Sequence, residues 1–145
     1  MSKIKTFRGL IADGTQDIIV LHTNDGSMGY RIVKFEMMAN KPGTETIESV
    51  IKIYKIEQSV IDNTVDFSDN TLLGAGYYSD SANENYGWKG TVSFDNEVFN
   101  QDIYVTHHET ANSYGMNYYI ELEQIKLDLS ENTVATLKDI RNVTQ

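Results

Sequence analysis

The sequence predicts an all-β protein, an antiparallel β-sandwich of the jelly-roll or Ig-like kind. Three observations support this fold class. Short segments rich in β-branched and aromatic residues recur, clusters of Gly, Asn, Asp and Ser separate them, and two long segments change apolar parity midway. The 145 residues suit one domain with a substantial core. We expect the sandwich to span residues 1–129, followed over 130–145 by a short helix or an extended arm.

The predicted strands follow one another with turn signals between them. They cover residues 4–11, 17–22, 30–39, 50–56, 72–78, 91–95, 102–107 and 118–129. The apolar residues of 17–22 are consecutive, which predicts a strand covered on both faces. Asp13-Gly14 and Pro42-Gly43 mark turns. The segment 79–90, rich in Asn, Ser, Asp and Gly, is expected to be the longest exposed loop.

The parity changes occur in the two longest strands. In 118–129 the apolar residues occupy even positions up to Leu122 and odd positions from Ile125. Because side chains alternate with a period of two, such a flip moves the apolar set to the other face. A β-bulge near Glu123-Gln124, or a strand that passes from one sheet to the other, explains it. The strand 30–39 flips in the same way, and coverage of half of each strand on both faces is the alternative.

The C-terminal segment differs in character from the strands. Val134, Leu137 and Ile140 are spaced by three, after the candidate helix caps Ser130 and Asn132. This pattern predicts a short amphipathic helix. The many β-branched residues of the same segment favour an extended arm instead, and both interpretations stay open.

Composition restricts the classes of partner and of chemistry. The net charge is −9, and the few basic residues are scattered along the chain. We therefore expect neither nucleic acid nor anionic membrane surfaces as partners. The absence of cysteine excludes disulfides, thiolate metal sites and cysteine nucleophiles. The chain opens without a signal-like apolar region, so we expect synthesis and folding in a cytosol.

Two groups of residues are candidate metal ligands. His107-His108-Glu109, with His22, offers imidazoles, but neighbouring strand residues point to opposite faces. The acidic stretches 62–70 and 80–85 offer oxygen ligands, but neither has the spacing of a known calcium loop. Ordinary strand-end histidines and solvated acidic loops are the favoured interpretation. We expect no metal and no cofactor.

Catalytic motifs are not evident in the sequence. Glu121 and Glu123 lie on one face of a predicted strand, roughly 7 Å apart, as exposed residues of a strand commonly do. The chain has no nucleophile elbow, no phosphate-binding glycine loop and no zinc-protease helix motif. We expect a non-enzymatic protein with no catalytic residues.

Aromatic residues cluster around the predicted long loop. Tyr77, Tyr78, Tyr86 and Trp88 would surround it. Such a cluster suits a protein interface, a sugar-binding platform, or, for Trp88, a plain core position. With Val134, Leu137 and Ile140, these four residues are the candidate partner-interface residues.

Six stretches of the chain resemble small virion structural proteins of marine tailed bacteriophages. They are 3–11 (KIKTFRGLI), 18–26 (IIVLHTNDG), 29–32 (GYRI), 94–104 (FDNEVFNQDIY), 118–123 (YYIELE) and 133–142 (TVATLKDIRN). The resemblance implies a virion protein made in the host bacterial cytoplasm, first of all a capsid auxiliary (decoration or cement) protein. It would bind the lattice of the major capsid protein or other virion proteins, as a homo-oligomer or in a symmetric array. The alternatives are a tail or head–tail structural protein and a carbohydrate-binding module on the virion surface.

Overall fold

Eight strands make up the described part of this computed structural model, which covers residues 3–23, 26–81 and 87–127. In chain order they are β1 (Lys3–Ile11), β2 (Gln16–Ile19), β3 (Met28–Ala39), β4 (Ile47–Tyr54), β5 (Leu72–Asp80), β6 (Trp88–Ser93), β7 (Ile103–Glu109) and β8 (Met116–Lys126). No helix occurs in these ranges, so the all-β prediction is confirmed. The helix or arm predicted over 130–145 lies outside the described residues.

The strands form two antiparallel sheets that pack face to face. One sheet has three strands in the order β1-β8-β3, and the other has five in the order β2-β7-β4-β5-β6. All strand pairs are antiparallel. The predicted β-sandwich is therefore confirmed.

β2 departs from the prediction that it is covered on both faces. The strand ends at Ile19, and the side chains alternate: Ile19 and Leu21 are buried, whereas Ile18 and Val20 are more than half exposed. The prediction was wrong because only the face of β2 that carries Ile19 is covered. Its outer face is open to solvent in the described structure.

The hairpin between β5 and β6 is longer than the sequence suggested. Ser79 pairs with Trp88, so both ends of the predicted loop 79–90 belong to strands. Cross-strand pairing of β5 with β6 overrides the polar, glycine-rich composition of this segment. The tip of the hairpin, 82–86, lies outside the described residues.

A β-bulge explains the parity change in β3. Ile32 pairs with Leu122 and Lys34 with Glu121, so Val33 is an extra residue with no partner in β8. Ile32 and Phe35 consequently face the same side and are both buried.

The parity change predicted for β8 has another cause. β8 pairs regularly with β1 up to Gln124, so the bulge predicted near Glu123-Gln124 was wrong. The buried Leu127 lies beyond the end of the strand, where its N–H donates to the Ser27 carbonyl at 3.0 Å. The alternative in which β3 and β8 pass between sheets was also wrong, because each belongs to the three-stranded sheet alone.

The core lies between the two sheets and is almost wholly apolar. Its most deeply buried members come from β1, β3, β4, β5, β7 and β8: Ile11, Ile32, Met37, Ile47, Ile51, Ile53, Leu73, Ile103, Val105, Met116, Ile120 and Leu122. The sheets approach closely at Gly76 of β5, where a Cβ would overlap the Met37 sulfur and crowd Phe35. Burial of these side chains, each worth about 1.5–3 kcal/mol, replaces the disulfides that the chain cannot form.

The segment 55–71 lies against the outer face of the larger sheet. Lys52 points to that face, yet only 3% of it is exposed. Its ammonium donates to the Thr64 carbonyl at 2.6 Å and to the Asp62 carboxylate at 3.1 Å, and it lies 5.5 Å from the Tyr54 ring centroid. A buried ammonium needs such partners, because desolvation alone would cost several kcal/mol. Lys52 therefore anchors the segment to the sheet.

We expect Asp62→Asn to destabilise the protein more than Lys52→Met. The first variant leaves the Lys52 ammonium buried beside a carbonyl and a neutral amide, at a cost of about 2–3 kcal/mol in the free energy of unfolding. The second removes the buried charge and leaves the half-exposed Asp62 to water, at a cost below about 1 kcal/mol. Urea unfolding at neutral pH measures both, with Asp66→Asn as control because that carboxylate accepts from Ser68 instead. A larger loss for Lys52→Met would contradict this account.

The pH dependence of stability gives a second readout of this anchor. The hydrogen bond from Lys52 holds the pKa of Asp62 below its ordinary value of 3.8. The ionised carboxylate therefore stabilises the folded state above pH 3.8, and this stabilisation is lost as the pH falls through the folded pKa. Solvent screening keeps the effect small, and Lys52→Met should reduce it to the part that the Thr64 N–H contributes.

Candidate functional site

Tyr77 and Trp88 form an aromatic surface on the outer face of the five-stranded sheet. Tyr77 pairs with Gly90 across β5 and β6, and the Trp88 indole folds over that glycine. The two ring centroids are 5.5 Å apart, with the ring planes at 41°. A Cβ at Gly90 would come within 2.8 Å of the indole, so the arrangement depends on glycine there. With the exposed Val92 on the same face, these residues are named here the Trp88 platform.

The Trp88 platform contains two of the seven residues predicted for a partner interface. Trp88 is 61% exposed, which excludes the interpretation of Trp88 as a core residue. Tyr78 points to the opposite face of β5 and packs against the core, so the structure does not bring it together with Tyr77. The remaining four lie outside the described residues, and their contacts stay predictions: Tyr86, Val134, Leu137 and Ile140.

The polar groups beside the Trp88 platform already have structural roles. A shallow depression of about 270 Å³ adjoins Trp88 and includes Asp80. The Asp80 carboxylate accepts from the Gly43 N–H at 2.8 Å and from the Ser81 N–H at 2.9 Å. These bonds attach the β3–β4 connection to the end of β5. The Trp88 platform is thus mainly an apolar, aromatic surface.

A second surface, which the sequence analysis missed, lies on the outer face of the three-stranded sheet. Strand register places Arg8 beside Tyr119 and Tyr119 beside Glu36, and the next row joins Leu10, Asn117 and Met38. With Lys34 and Lys89, these residues line a cleft of about 620 Å³, named here the outer cleft. Leu10 is 55% and Met38 57% exposed, so two apolar side chains flank Asn117 in the row next to Tyr119.

The sequence did contain a signal for the outer cleft. Leu10 and Met38 are apolar residues that fall out of phase with the buried residues of their strands. In β1 the buried phase contains Phe7 and Ile11, and in β3 it contains Met37. Apolar residues that lie together on an exposed face indicate a contact surface, whereas single ones are normal. Only the register shows that these two lie on the same row.

Charges around the outer cleft are mostly paired. The Lys89 ammonium lies 3.8 Å from the Glu36 carboxylate, and the Lys34 ammonium lies 6.0 Å from the Tyr119 ring centroid. The Tyr119 hydroxyl donates to Glu121 at 2.7 Å, and this bond raises the pKa of Tyr119. The Arg8 guanidinium, by contrast, contacts no carboxylate in the described ranges.

The predicted metal candidates do not converge. Within the described residues, no group of three His, Asp or Glu side chains is placed to hold a metal ion. His22 lies at the surface, 2.7 Å from Asp102. His107 faces the core and His108 the opposite side of β7, as strand alternation requires.

His107 has a structural role between the two sheets. Its Nδ1 lies 3.0 Å from the Ile11 carbonyl of β1, and its Nε2 lies 3.0 Å from the Ser49 hydroxyl of β4. A neutral ring satisfies both contacts when Nδ1–H donates to the carbonyl and Nε2 accepts from the hydroxyl. Nearby, the Tyr118 hydroxyl of β8 donates to Asp17 of β2 at 2.9 Å. These polar contacts join the sheets at one end of the sandwich.

The carboxylates considered for catalysis also have partners. Glu123 accepts from Arg31 at 2.8 Å, and Glu121 accepts from Tyr119. The buried Glu109 accepts from the backbone N–H groups of Glu48, Ala111 and Asn112, which fixes the turn after β7. Structural bonds therefore account for the positions of these groups.

Comparisons with known proteins add no assignment. No protein-family model matches the chain, and no curated protein matches it significantly. The described residues include no helix of the length and apolarity needed to cross a bilayer.

We expect His107→Asn to destabilise the protein and to change the pH dependence of its stability. Burial lowers the pKa of His107 below 6.5. The neutral ring therefore stabilises the fold above pH 6.5, and this stabilisation is lost as the pH falls through the folded pKa. The variant should lose about 1–3 kcal/mol at neutral pH, because the Ile11 carbonyl and the Ser49 hydroxyl lose their partner. It should also show a flatter profile below pH 6.5.

Thermal unfolding as a function of pH measures both effects. His108→Asn is the matched control, since it replaces the neighbouring imidazole on the opposite face of β7. An unchanged profile in His107→Asn, or the same change in both variants, would refute the assignment.

Proposed function

We propose that this protein is a non-enzymatic phage virion structural protein, a capsid auxiliary (decoration or cement) protein that binds the lattice of the major capsid protein. The observation that carries the proposal is the outer cleft, where Leu10 and Met38 are exposed on either side of the β8 strand. Contiguous exposed apolar groups with a polar rim mark protein interaction sites. The resemblance of six stretches to phage virion proteins supplies the biological setting.

The residue types in the outer cleft favour a protein partner. Tyrosine, methionine and arginine are enriched at protein interfaces, and Tyr119, Met38 and Arg8 lie there together. The paired Lys89 and Glu36 stand beside the apolar groups, as charged residues do at the rim of an interface. The outer cleft is open and crosses β1, β8 and β3, which suits contact with the surface of a neighbouring protein.

The construction of the fold also suits a lattice protein. The chain has no cysteine and obtains its stability from a dense apolar core, inter-sheet bonds at His107 and Tyr118, and the Lys52 anchor. Such a domain folds without oxidation, as a protein assembled in a bacterial cytoplasm must. Copies of one rigid domain can then occupy equivalent positions in a symmetric array.

We expect Met38→Lys to weaken binding to capsids by about tenfold or more, since a buried charge without a partner costs at least about 1.4 kcal/mol. The measurement is co-sedimentation of purified variant with virions that lack the protein. Met38 is mostly exposed in the isolated chain, so the thermal stability of the variant should equal that of the wild type. Val60→Lys is the control, because Val60 is 69% exposed in the segment 55–71.

Two results would reject the proposal: absence of the protein from purified virions, or equal binding of both variants. Quantitative mass spectrometry of the virions counts copies per particle. A number far below that of the major capsid protein would indicate a tail or head–tail position instead.

The Trp88 platform supports a second candidate function, carbohydrate binding. An exposed indole stacked over a glycine next to a tyrosine ring is an aromatic surface of the kind that sugar rings pack against. We expect a glycan array to show binding that Trp88→Ala abolishes without a loss of stability. Tyr114→Ala, at an exposed tyrosine elsewhere, should bind unchanged. No glycan bound by the wild type, or unchanged binding by Trp88→Ala, would remove this candidate.

A further inference from the structure

We propose that two copies of this chain associate by antiparallel pairing of β1 with β1, in a register centred on Phe7. The pairing would join two three-stranded sheets into one continuous sheet across a two-fold axis. This inference goes beyond the proposed function and does not depend on it, because it concerns the isolated protein.

β1 is the long, regular edge of the described sandwich. Its nine residues pair with β8 without interruption, and the other side of β1 carries no strand in the described ranges. A strand of this kind, without proline or bulge, presents a row of N–H and C=O groups that another strand can pair with.

The remaining sheet edges are short or occupied. β2 has only four residues. The free side of β3 exchanges two backbone hydrogen bonds between Tyr30 and Phe99, and its Phe35 carbonyl accepts from the Thr91 hydroxyl of β6. β6 has six residues against nine in β1, and it also contacts β3. Strand addition is therefore most accessible at β1.

The charges of β1 select a register for self-pairing. In a continuous antiparallel sheet, directly opposite residues have their side chains on the same face. Two identical strands meet this condition only when the two-fold axis passes through a residue position. Axes at Lys5 or Arg8 would oppose two like charges, which is destabilising. An axis at Thr6 pairs only residues 3–9. An axis at Phe7 pairs all of 3–11 and sets no cation directly opposite another.

This register also matches the apolar residues of the exposed face. Ile4 would lie opposite Leu10 of the second copy, and both are about half exposed in the single chain. The pair occurs twice because of the symmetry. On the inner face, the two Phe7 rings would meet at the axis, where aromatic cross-strand pairs are favourable.

Arg8 gains a partner in the same register. Arg8 would lie opposite Thr6 of the second copy, and Thr6 pairs with Glu121 on β8. Two strand spacings, about 10 Å between Cα atoms, separate Arg8 from that Glu121. The two long side chains can span this distance over the small Thr6. The Arg8 guanidinium contacts no carboxylate in the described part of its own chain. In the dimer it would face the Glu121 carboxylate of the second copy.

Sedimentation analysis of the purified full chain tests the association. We expect a dimer in the micromolar range, and we expect Ile4→Lys to raise the dissociation constant by about tenfold or more, since each copy sets a lysine against Leu10. Ile4 is exposed, so the variant should fold normally, and Val60→Lys is again the control. A wild type that stays monomeric, or a dimer indifferent to Ile4→Lys, would overturn the proposal.

Cysteine cross-linking tests the register, because the natural chain has no cysteine. Ile4→Cys mixed with Leu10→Cys should form a disulfide-linked heterodimer on mild oxidation, since opposite Cβ atoms lie about 5 Å apart. Neither variant should cross-link with itself, because the identical positions would be roughly 20 Å apart. Self-linking of Ile4→Cys, or equal linking of Leu10→Cys with the control Ile18→Cys, would overturn the register. Loss of the dimer would leave the capsid-binding result at Met38 unaffected, so the two proposals fail separately.

Discussion

The extra residue Val33 in β3 is the constraint on which the rest of the sandwich depends. Ile32 and Phe35 are three positions apart and would face opposite sides of a regular strand. The bulge turns both inward, so the twelve-residue strand contributes to the core along its whole length. Phe35 and its neighbour in phase, Met37, then pack onto the bare backbone of Gly76 in the opposite sheet. The close approach of the sheets follows from that single insertion.

The same insertion determines what the outer face of the small sheet presents. After the bulge, the even positions of β3 point outward, which places Lys34, Glu36 and Met38 beside the odd positions of β8. The outer cleft is therefore a direct consequence of core packing. The same sequence paired regularly, with Val33 occupying a ladder position, would present Phe35 and Met37 to solvent in their place. The pairing register of β3 with β8 therefore determines both which β3 residues enter the core and which line the outer cleft.

Much of the fold could be predicted from the sequence, because β-branched segments and turn residues are local signals. The parity change in β3 was also visible, but its origin was not. A sequence does not distinguish an extra residue within a strand from the end of a strand, and β8 shows the second case at Leu127. The sequence also did not show which faces are covered. Ile18 and Val20 are exposed because the described structure leaves that face open, and the covering of a face by distant segments is a non-local property.

The two candidate sites also differ in how far local sequence signals could predict them. Tyr77 and Trp88 could be grouped from the sequence because a hairpin brings residues close in the chain together. Tyr78 does not belong to the group, because side chains alternate along β5 and Tyr78 faces the core. The outer cleft joins three strands that are far apart in the chain. Arg8, Tyr119 and Glu36 become neighbours only through the β1–β8 and β8–β3 registers. No local pattern contains that information.

The charges of β1 show how an exposed edge can be protected and still be specific. The strand carries Lys3, Lys5 and Arg8 and no acidic residue, in a chain of net charge −9. Charges on an edge strand discourage indiscriminate strand addition, because many registers bring like charges directly opposite one another. Protection by charge is therefore selective. A strand whose register avoids placing like charges opposite each other can pair with β1, and other strands are repelled. The spacing of the three cations, two positions and then three, gives the edge this selectivity without a proline or a bulge.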